Sequence, residues 1–130
     1  MIDKLPKPMD VVPFKTDVTS LDSGSLSNKL LELASYSAYI QAGVLPALQH
    51  NLEKAEAIHK KSYTSALKAA KGPVASQKAE AEEHALPAYE EVLLCRKLVN
   101  QATGYMHGYD KMYNALSREL TRRVETRGNY

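Results

Sequence analysis

Features that usually identify a function are scarce in this chain of 130 residues. A single cysteine, Cys95, excludes a disulfide framework and any zinc site built from cysteines. Apolar runs stay far short of the roughly 20 residues that a membrane-spanning helix needs, and the first residues lack the apolar core of a signal peptide. Tryptophan is absent and phenylalanine occurs once, although tyrosine occurs eight times. We therefore expect a cytoplasmic protein without membrane segments.

A strong net charge and catalytic motifs are also missing. The 17 Lys and Arg residues oppose 15 Asp and Glu residues, and the resulting net charge of +2 excludes a histone-like polycation and an acidic disordered tail. The sequence contains no H-E-x-x-H, G-x-S-x-G or phosphate-loop pattern. We expect no catalytic residues, no metal and no cofactor, and we interpret Cys95 as a buried, inert thiol.

Helical periodicity, in contrast, is abundant. Between residues 77 and 127, twelve apolar or aromatic residues are spaced alternately four and three apart, which predicts a long helix with a heptad seam. The seam consists of Ala81, Ala85, Ala88, Val92, Cys95, Val99, Ala102, Met106, Tyr109, Tyr113, Leu116 and Leu120. A first helix is predicted over residues 25–71, where a similar stripe shifts by one place after Val44.

Proline and glycine set the predicted boundaries. Gly72 and Pro73 form a helix stop signal, so residues 72–76 are predicted as the loop. Pro46 predicts a kink or short break in the first helix, and Pro87 a kink in the second. Three prolines in residues 1–20 argue against a helix there, which leaves either a disordered tail or an extended arm. Candidate anchors of that arm are Val11, Val12 and Phe14.

These elements predict an all-α fold, in which residues 21–130 form an antiparallel hairpin of two long, kinked helices. A hairpin is thin, and additional leucines widen its apolar stripe, so the chain must fold back into a bundle or associate with other chains. We favour oligomerisation through coiled-coil-like packing. The predicted oligomer interface comprises Leu86, Leu93, Leu98, Tyr109 and Tyr113.

Basic residues are concentrated in two regions. Residues 54–78 contain six lysines and one glutamate, and residues 111–127 contain five basic and two acidic residues. Such clusters are either solvated helix faces or contacts for a phosphate backbone, and an oligomer would multiply each cluster. The candidate nucleic-acid-binding residues are Lys60, Lys61, Lys68, Arg118, Arg122 and Arg123. A tyrosine ridge at residues 105, 109 and 113 favours a core or an interface over base stacking.

Several segments between residues 17 and 123 resemble one known family. They are the Asp and Leu residues before the first helix, the stretch 30–39, the lysine-rich end of that helix, the long second helix, and a closing Asn114, Ser117 and Arg118. In these features the chain resembles the UvsY-type recombination mediators of phages, although it lacks the family's tyrosine–glycine stretch and later tryptophan. The resemblance implies a non-enzymatic, ring-forming protein of the host-cell cytoplasm that binds single-stranded DNA. It further implies that the protein helps a RecA-like recombinase displace single-strand-binding protein, with Lys60, Lys61 and Arg118 contacting the strand.

An alternative interpretation comes from another functional class. A helical phage structural, assembly or inhibitory adaptor that acts by protein–protein contact would show the same periodicity and the same lack of catalytic motifs. Salt-dependent binding of a labelled oligonucleotide distinguishes the two, because only phosphate contacts release counterions.

Overall fold

A computed structural model describes residues 2–11 and 18–128 of the chain. The chain divides into two compact units: unit 1 comprises residues 1–45 and 102–130, and unit 2 comprises residues 46–101. Every regular element among the described residues is helical, which confirms the predicted all-α class. The α-helices are α1 (Pro8–Val11), α2 (Ser23–Tyr39), α3 (Leu45–Ala69) and α4 (Val74–Gly128). Two 3₁₀ turns, Ile2–Lys4 and Val18–Ser20, and a π-helix, Ile40–Val44, complete the described regular structure.

The predicted interruption near Pro46 takes the form of the π-helix that joins α2 to α3. Proline has no N–H to donate to the carbonyl four residues back. The preceding donor, the N–H of Leu45, bonds instead to the carbonyl of Ile40, five residues back. A π-helix accommodates one extra residue, which is the one-place shift that the apolar stripe shows after Val44. The predicted helix 25–71 is therefore two α-helices and a π-helix, spanning residues 23–69.

Asp22 fixes the start of α2. Its carboxylate accepts a hydrogen bond from the backbone N–H of Ser25 at 2.7 Å, as an N-cap residue should. This hydrogen bond lowers the pKa of Asp22, with smaller contributions from Gly24 and Arg123. The sequence signal at residues 21–28 thus places the helix start within two residues of its predicted position at 25.

The loop between α3 and α4 is shorter than predicted and lies earlier in the chain. α3 ends at Ala69 and α4 begins at Val74. Gly72 has φ +108°, a left-handed conformation that favours glycine. The carbonyl of Pro73 accepts the N–H of Gln77 at 3.0 Å, and the Gln77 side chain donates to the Gly72 carbonyl at 2.7 Å. Proline is tolerated at a helix start, so residues 74–76 are helical and not part of the loop.

α4 continues through Pro87 without an interruption and carries the predicted seam. Eleven of the twelve seam positions are buried or half-buried, and only Tyr113 is exposed, at 38%. In unit 2 the buried members are small residues, Ala81, Ala85, Val92 and Cys95. In unit 1 they include Ala102 and two much larger side chains, Tyr109 and Leu116.

The N-terminal residues of unit 1 pack against α4. Ile2 and Val11 are buried, and the Tyr109 hydroxyl donates to the carbonyl of Pro6. Pro8 begins α1, a single helical turn, so the expectation that the prolines exclude a helix is wrong for residues 8–11. Proline fits the first position of a helix because its missing N–H would be unpaired there in any case. The other candidate anchors, Val12 and Phe14, lie outside the described residues.

Candidate nucleic-acid interface

Three of the six predicted nucleic-acid contacts, Lys60, Lys61 and Lys68, lie on α3 in unit 2. All three side chains are exposed. Lys61 and Lys68 are seven residues apart and so lie two turns apart on one helix face, while Lys60 lies one turn from Tyr63 on the adjacent face. Lys71 and Lys78, which flank the loop, are exposed as well.

These five lysines lie in a stretch without acidic residues, which is bounded by Glu56, one turn before Lys60, and by Glu80, two residues after Lys78. Residues 57–79 contain five lysines and no aspartate or glutamate. Within residues 2–11 and 18–128, none of the five lysines belongs to an ion pair, since the salt bridges found there involve Lys29, Arg122 and Arg123. We call Lys60, Lys61, Lys68, Lys71 and Lys78 the lysine cluster. Its charges are available to an anion.

The predicted arginine contacts, in unit 1, are not equivalent. Arg118 is exposed on α4. Arg122 Nη2 lies 2.7 Å from Glu119 Oε1, and its Nε lies 3.0 Å from Glu119 Oε2, so the guanidinium engages both carboxylate oxygens. Arg123 Nε also donates to Glu119 Oε1 at 3.0 Å. Glu119 therefore compensates part of the charge that the sequence assigned to this region.

Hydrogen bonds from Arg122 and Arg123 hold the pKa of Glu119 at about 2, well below its ordinary value. Arg122 contributes most to this shift, and the partial desolvation of the carboxylate opposes it. Glu119 was not among the predicted functional residues. The sequence does contain a signal for this ion pairing, because Glu119 lies three and four residues before the two arginines on one helix.

Arg123 bonds within unit 1. Its guanidinium donates to Ser23 Oγ at 3.2 Å, to the Thr19 carbonyl at 3.2 Å, and to the Leu21 carbonyl. It therefore joins α4 to the start of α2, where several backbone carbonyls converge. These bonds occupy the Arg123 guanidinium, whereas Arg118 and the lysine cluster remain exposed.

The predicted oligomer-interface residues fall into two groups. Tyr109 is fully buried within unit 1, so it is not available to a second chain. Leu86 and Leu93 are 48% and 46% exposed on α4 in unit 2, and Leu98 and Tyr113 are each 38% exposed. Leu86 lines an open groove of about 450 Å³ together with His59, Tyr63, Glu82 and Tyr89.

Tyr109, the middle residue of the tyrosine ridge, belongs to the unit 1 core, Tyr105 is half-buried and Tyr113 is exposed. Tyr36 and Tyr105 pack on Tyr109, with ring centroids 5.4 Å and 6.2 Å away. Burial raises the pKa of Tyr109 to about 12, and Tyr105 and Tyr36 add to the shift. The close packing of these rings agrees with the interpretation of the ridge as core and leaves no face of Tyr109 for a nucleobase.

Cys95 and the histidines offer no reactive centre. Cys95 is buried, its thiol lies 3.8 Å from Glu91 Oε1, and burial followed by the Glu91 charge raises its pKa, which disfavours the reactive thiolate. Among the described residues, no three His, Cys, Asp or Glu side chains converge as a metal site would require. In the same part of the chain, no helix combines the length and hydropathy of a membrane span.

Unit 2 presents exposed lysines and exposed apolar side chains, which are groups suited to electrostatic and apolar binding. Comparison with known proteins adds no identity: no family model, no curated protein and no solved structure matches the chain.

Proposed function

We propose that this protein binds single-stranded DNA through the lysine cluster of unit 2, as a non-enzymatic recombination mediator that assists the loading of a RecA-like recombinase. The observation that carries the proposal is the run of residues 57–79, which has five lysines, no acidic residue and no ion pair within the described structure. Like charges that cluster on one surface raise the local positive potential and attract polyanions.

The proposed mechanism relies on counterion release and on repetition. Each lysine that contacts a phosphate releases condensed counterions, and this release supplies sequence-independent affinity. One chain offers a small cluster, so several copies must present theirs together for strong binding. We therefore propose that the two long helical segments form a hairpin and that several copies associate as a coiled-coil-like homo-oligomer. Held along such an assembly, the strand would be presented to the recombinase while single-strand-binding protein is displaced.

Direct binding to DNA is tested with a labelled oligothymidine and a variant that removes two cluster lysines, Lys61→Ala with Lys68→Ala. The log–log salt slope of affinity should fall by roughly 0.7 for each lysine–phosphate interaction that the substitutions remove from a chain. The matched control removes two exposed lysines of unit 1, Lys4→Ala with Lys7→Ala, and so changes the net charge equally. Equal binding by the two double variants would contradict a specific role for the cluster.

The mediator step is tested separately from DNA binding. A RecA-type recombinase is mixed with oligothymidine that single-strand-binding protein already covers, and its DNA-dependent ATPase activity is followed. The parent protein should shorten the lag before ATP hydrolysis, and the cluster double variant should not. Parent protein that binds DNA but leaves the lag unchanged would limit the function to binding.

A protein-contact adaptor is the second candidate, and a specific observation favours it. Ile58 and Leu98, which line one open groove of unit 2, are 60% and 38% exposed and so form an exposed apolar patch. An adaptor would use this surface for another protein and leave the lysines solvated. Parent protein that fails to bind oligothymidine near physiological salt would favour the adaptor.

A further inference from the structure

The open groove of about 450 Å³ in unit 2 combines aromatic rings with one carboxylate. His59 and Tyr63 line it from α3, and Glu82, Leu86 and Tyr89 line it from α4. The lining residues of each helix lie three or four apart, so they share one side of that helix. The rings of His59 and Tyr89 meet across the two helices, with centroids 5.3 Å apart. Both walls of the groove are therefore aromatic, and Glu82 is its acidic group.

The charge around this groove is acidic as well. Three further glutamates and two lysines lie three or four residues from a lining residue, on the same side of its helix. They are Glu56, Glu83, Glu90, Lys60 and Lys78. All are exposed, and neither they nor Glu82 form an ion pair with a described residue. The four carboxylates outnumber the two ammonium groups, which leaves the groove and its margins with a net charge of −2.

This combination disfavours two kinds of occupant. A purely apolar partner would cover the carboxylate of Glu82 without offering it a charge or a hydrogen bond, and an uncompensated carboxylate is costly to bury. A nucleic-acid strand would bring its phosphates to an acidic margin, which like-charge repulsion disfavours. The occupant must therefore carry both a positive charge and a surface that packs on aromatic rings.

An arginine side chain has both properties. Its guanidinium is planar and always charged, it stacks on aromatic faces, and it pairs with a carboxylate through two parallel hydrogen bonds. We propose that this groove binds an arginine side chain of a partner protein, with the guanidinium on Tyr63 and Tyr89 and paired with Glu82. The methylene groups of the arginine would lie against Leu86, which is 48% exposed.

The open shape of the groove indicates the source of the arginine. Pockets for small molecules enclose most of the ligand surface, whereas an open groove covers a side chain that a second macromolecule holds in place. The site goes beyond the proposed function, because it needs no DNA and uses other residues than the phosphate contacts. It would give unit 2 a protein contact beside the lysine cluster.

A peptide titration tests the ligand chemistry on the full chain. The probe is a short peptide with blocked termini and one arginine between two leucines, and its control carries citrulline, which has nearly the same shape without the charge. Nuclear magnetic resonance of the isotope-labelled protein should show the arginine peptide shifting amides of residues 59–63 and 82–89. The citrulline peptide should bind on the order of tenfold more weakly. Equal binding of the two peptides, or shifts confined to other residues, would overturn the proposal.

Substitutions in the groove separate the carboxylate from the rings. Glu82→Gln should weaken the arginine peptide on the order of tenfold and leave the citrulline peptide unchanged. Glu80→Gln is the matched control, since it removes an exposed carboxylate from another side of α4 and should bind like the parent. Tyr63→Leu with Tyr89→Leu keeps the groove apolar but removes two ring faces, and it should weaken the arginine peptide several-fold. Parent-like binding by Glu82→Gln would reject the site even if the double leucine variant failed to fold.

Two further measurements test the other possible occupants. Oligothymidine alone should leave the amides of residues 82–89 unshifted, and shifts there that match those of the peptide would assign the groove to a nucleobase. A parent whose mass without peptide falls to that of one chain on Glu82→Gln would show that a second copy supplies the arginine. Either result would overturn the proposal. Arginine-peptide binding by a parent that does not bind oligothymidine would support this site while rejecting the proposed function.

Discussion

The two units of this protein differ in the size of the apolar side chains that they bury. Unit 1 buries large side chains, including Leu26, Leu33, Ile40 and Tyr109, whereas the seam of unit 2 is built mainly from alanines, Val92 and Cys95. The large apolar side chains of unit 2 include Ile58, Leu86, Leu93, Leu94 and Leu98, all of them exposed. Burial of apolar area is the main stabilising contribution to a fold. Unit 1 therefore buries more large apolar side chains than unit 2 does, although Leu31 and Val124 of unit 1 are also exposed, at 68% each.

Polar contacts follow the same division. In unit 1, Ser37 Oγ donates to Asp110 at 2.7 Å, Arg123 reaches the residues before and at the start of α2, and Tyr109 reaches Pro6. These bonds join segments that are distant in the sequence, and they fix the packing of the N-terminal arm and α2 against α4. In unit 2, the lysines and glutamates remain at the surface. The long-range side-chain hydrogen bonds therefore lie in unit 1, whereas the charged side chains of unit 2 are left to solvent.

The largest expected effect comes from removing a buried side chain in one unit and an exposed one in the other. Leu33→Ala should lower the free energy of unfolding by about 2–5 kcal/mol, because it leaves a cavity in the unit 1 core. Leu94→Ala should change it by less than about 0.5 kcal/mol, because that side chain is half-exposed. Urea titrations followed by circular dichroism measure both values. Comparable losses for the two variants would contradict the division.

The second prediction uses the alkaline titration of Tyr109. Its pKa is raised to about 12 in the folded protein, so the unfolded chain loses its proton first as the pH rises. Stability from this group is fully present below about pH 10 and is lost as the pH rises towards 12, by on the order of 2–3 kcal/mol. Tyr109→Phe should remove this part of the alkaline loss, although it also loses the hydrogen bond to Pro6. Urea midpoints between pH 9 and 12 provide the measurement.

The third prediction compares two glycines, one turn apart on α4 in unit 1. A Cβ on Gly108 would lie 2.6 Å from Pro8 Cγ, whereas a Cβ on Gly104 would meet nothing within 4 Å. Gly104→Ala should raise the free energy of unfolding by up to about 1 kcal/mol through helix propensity. Gly108→Ala should lower it by about 1–3 kcal/mol, because Pro8 must move away.

Hydrogen exchange resolves where the Gly108→Ala cost arises. Displacement of Pro8 should speed exchange of the amides in residues 2–11 while α2 keeps its protection. Stabilisation by both alanines would show that the N-terminal arm contributes nothing to unit 1, and the role assigned to Pro8 would then be wrong.

Much of this fold was predictable because its seam is periodic. The heptad spacing identified the covered positions of α4, and the four–four–four spacing from Ile40 through Leu52 contained the extra residue of the π-helix. The limits of prediction are equally physical. Nothing local indicates that Arg123 bonds to Ser23, 100 residues away. Pro73 does lie in the loop, but residues 74–76 were assigned to it as well, because the proline was interpreted only as a helix stop although prolines also stand at helix starts.

For the candidate site, the sequence predicts which residues are basic and exposed but not which of them form structural contacts. The absence of acidic residues from 57 to 79 is visible in the sequence, and the exposure of Lys60, Lys61 and Lys68 follows from their positions off the apolar stripe. The difference between Arg118 and Arg123 is invisible there, because both belong to one basic cluster. Only the position of Glu119 and of the α2 start separates an exposed guanidinium from a structural one.

The last prediction tests the role of Glu119 by following stability as the pH falls. The pKa of Glu119 is lowered to about 2, so its pairing with Arg122 and Arg123 stabilises the folded chain fully above about pH 4.5 and is lost as the pH falls towards 2. Glu119→Gln should flatten the fall of the urea midpoint across that window. Water screens the pair with Arg122, whose side chain is 59% exposed, more than the pair with Arg123, whose side chain is 18% exposed. Glu125→Gln, an exposed neutralisation on the same helix, is the control.

At neutral pH, Glu119→Gln also frees Arg122 from its carboxylate, so it should strengthen oligothymidine binding if unit 1 contacts the strand. Unchanged binding would confine the contact to the lysine cluster of unit 2.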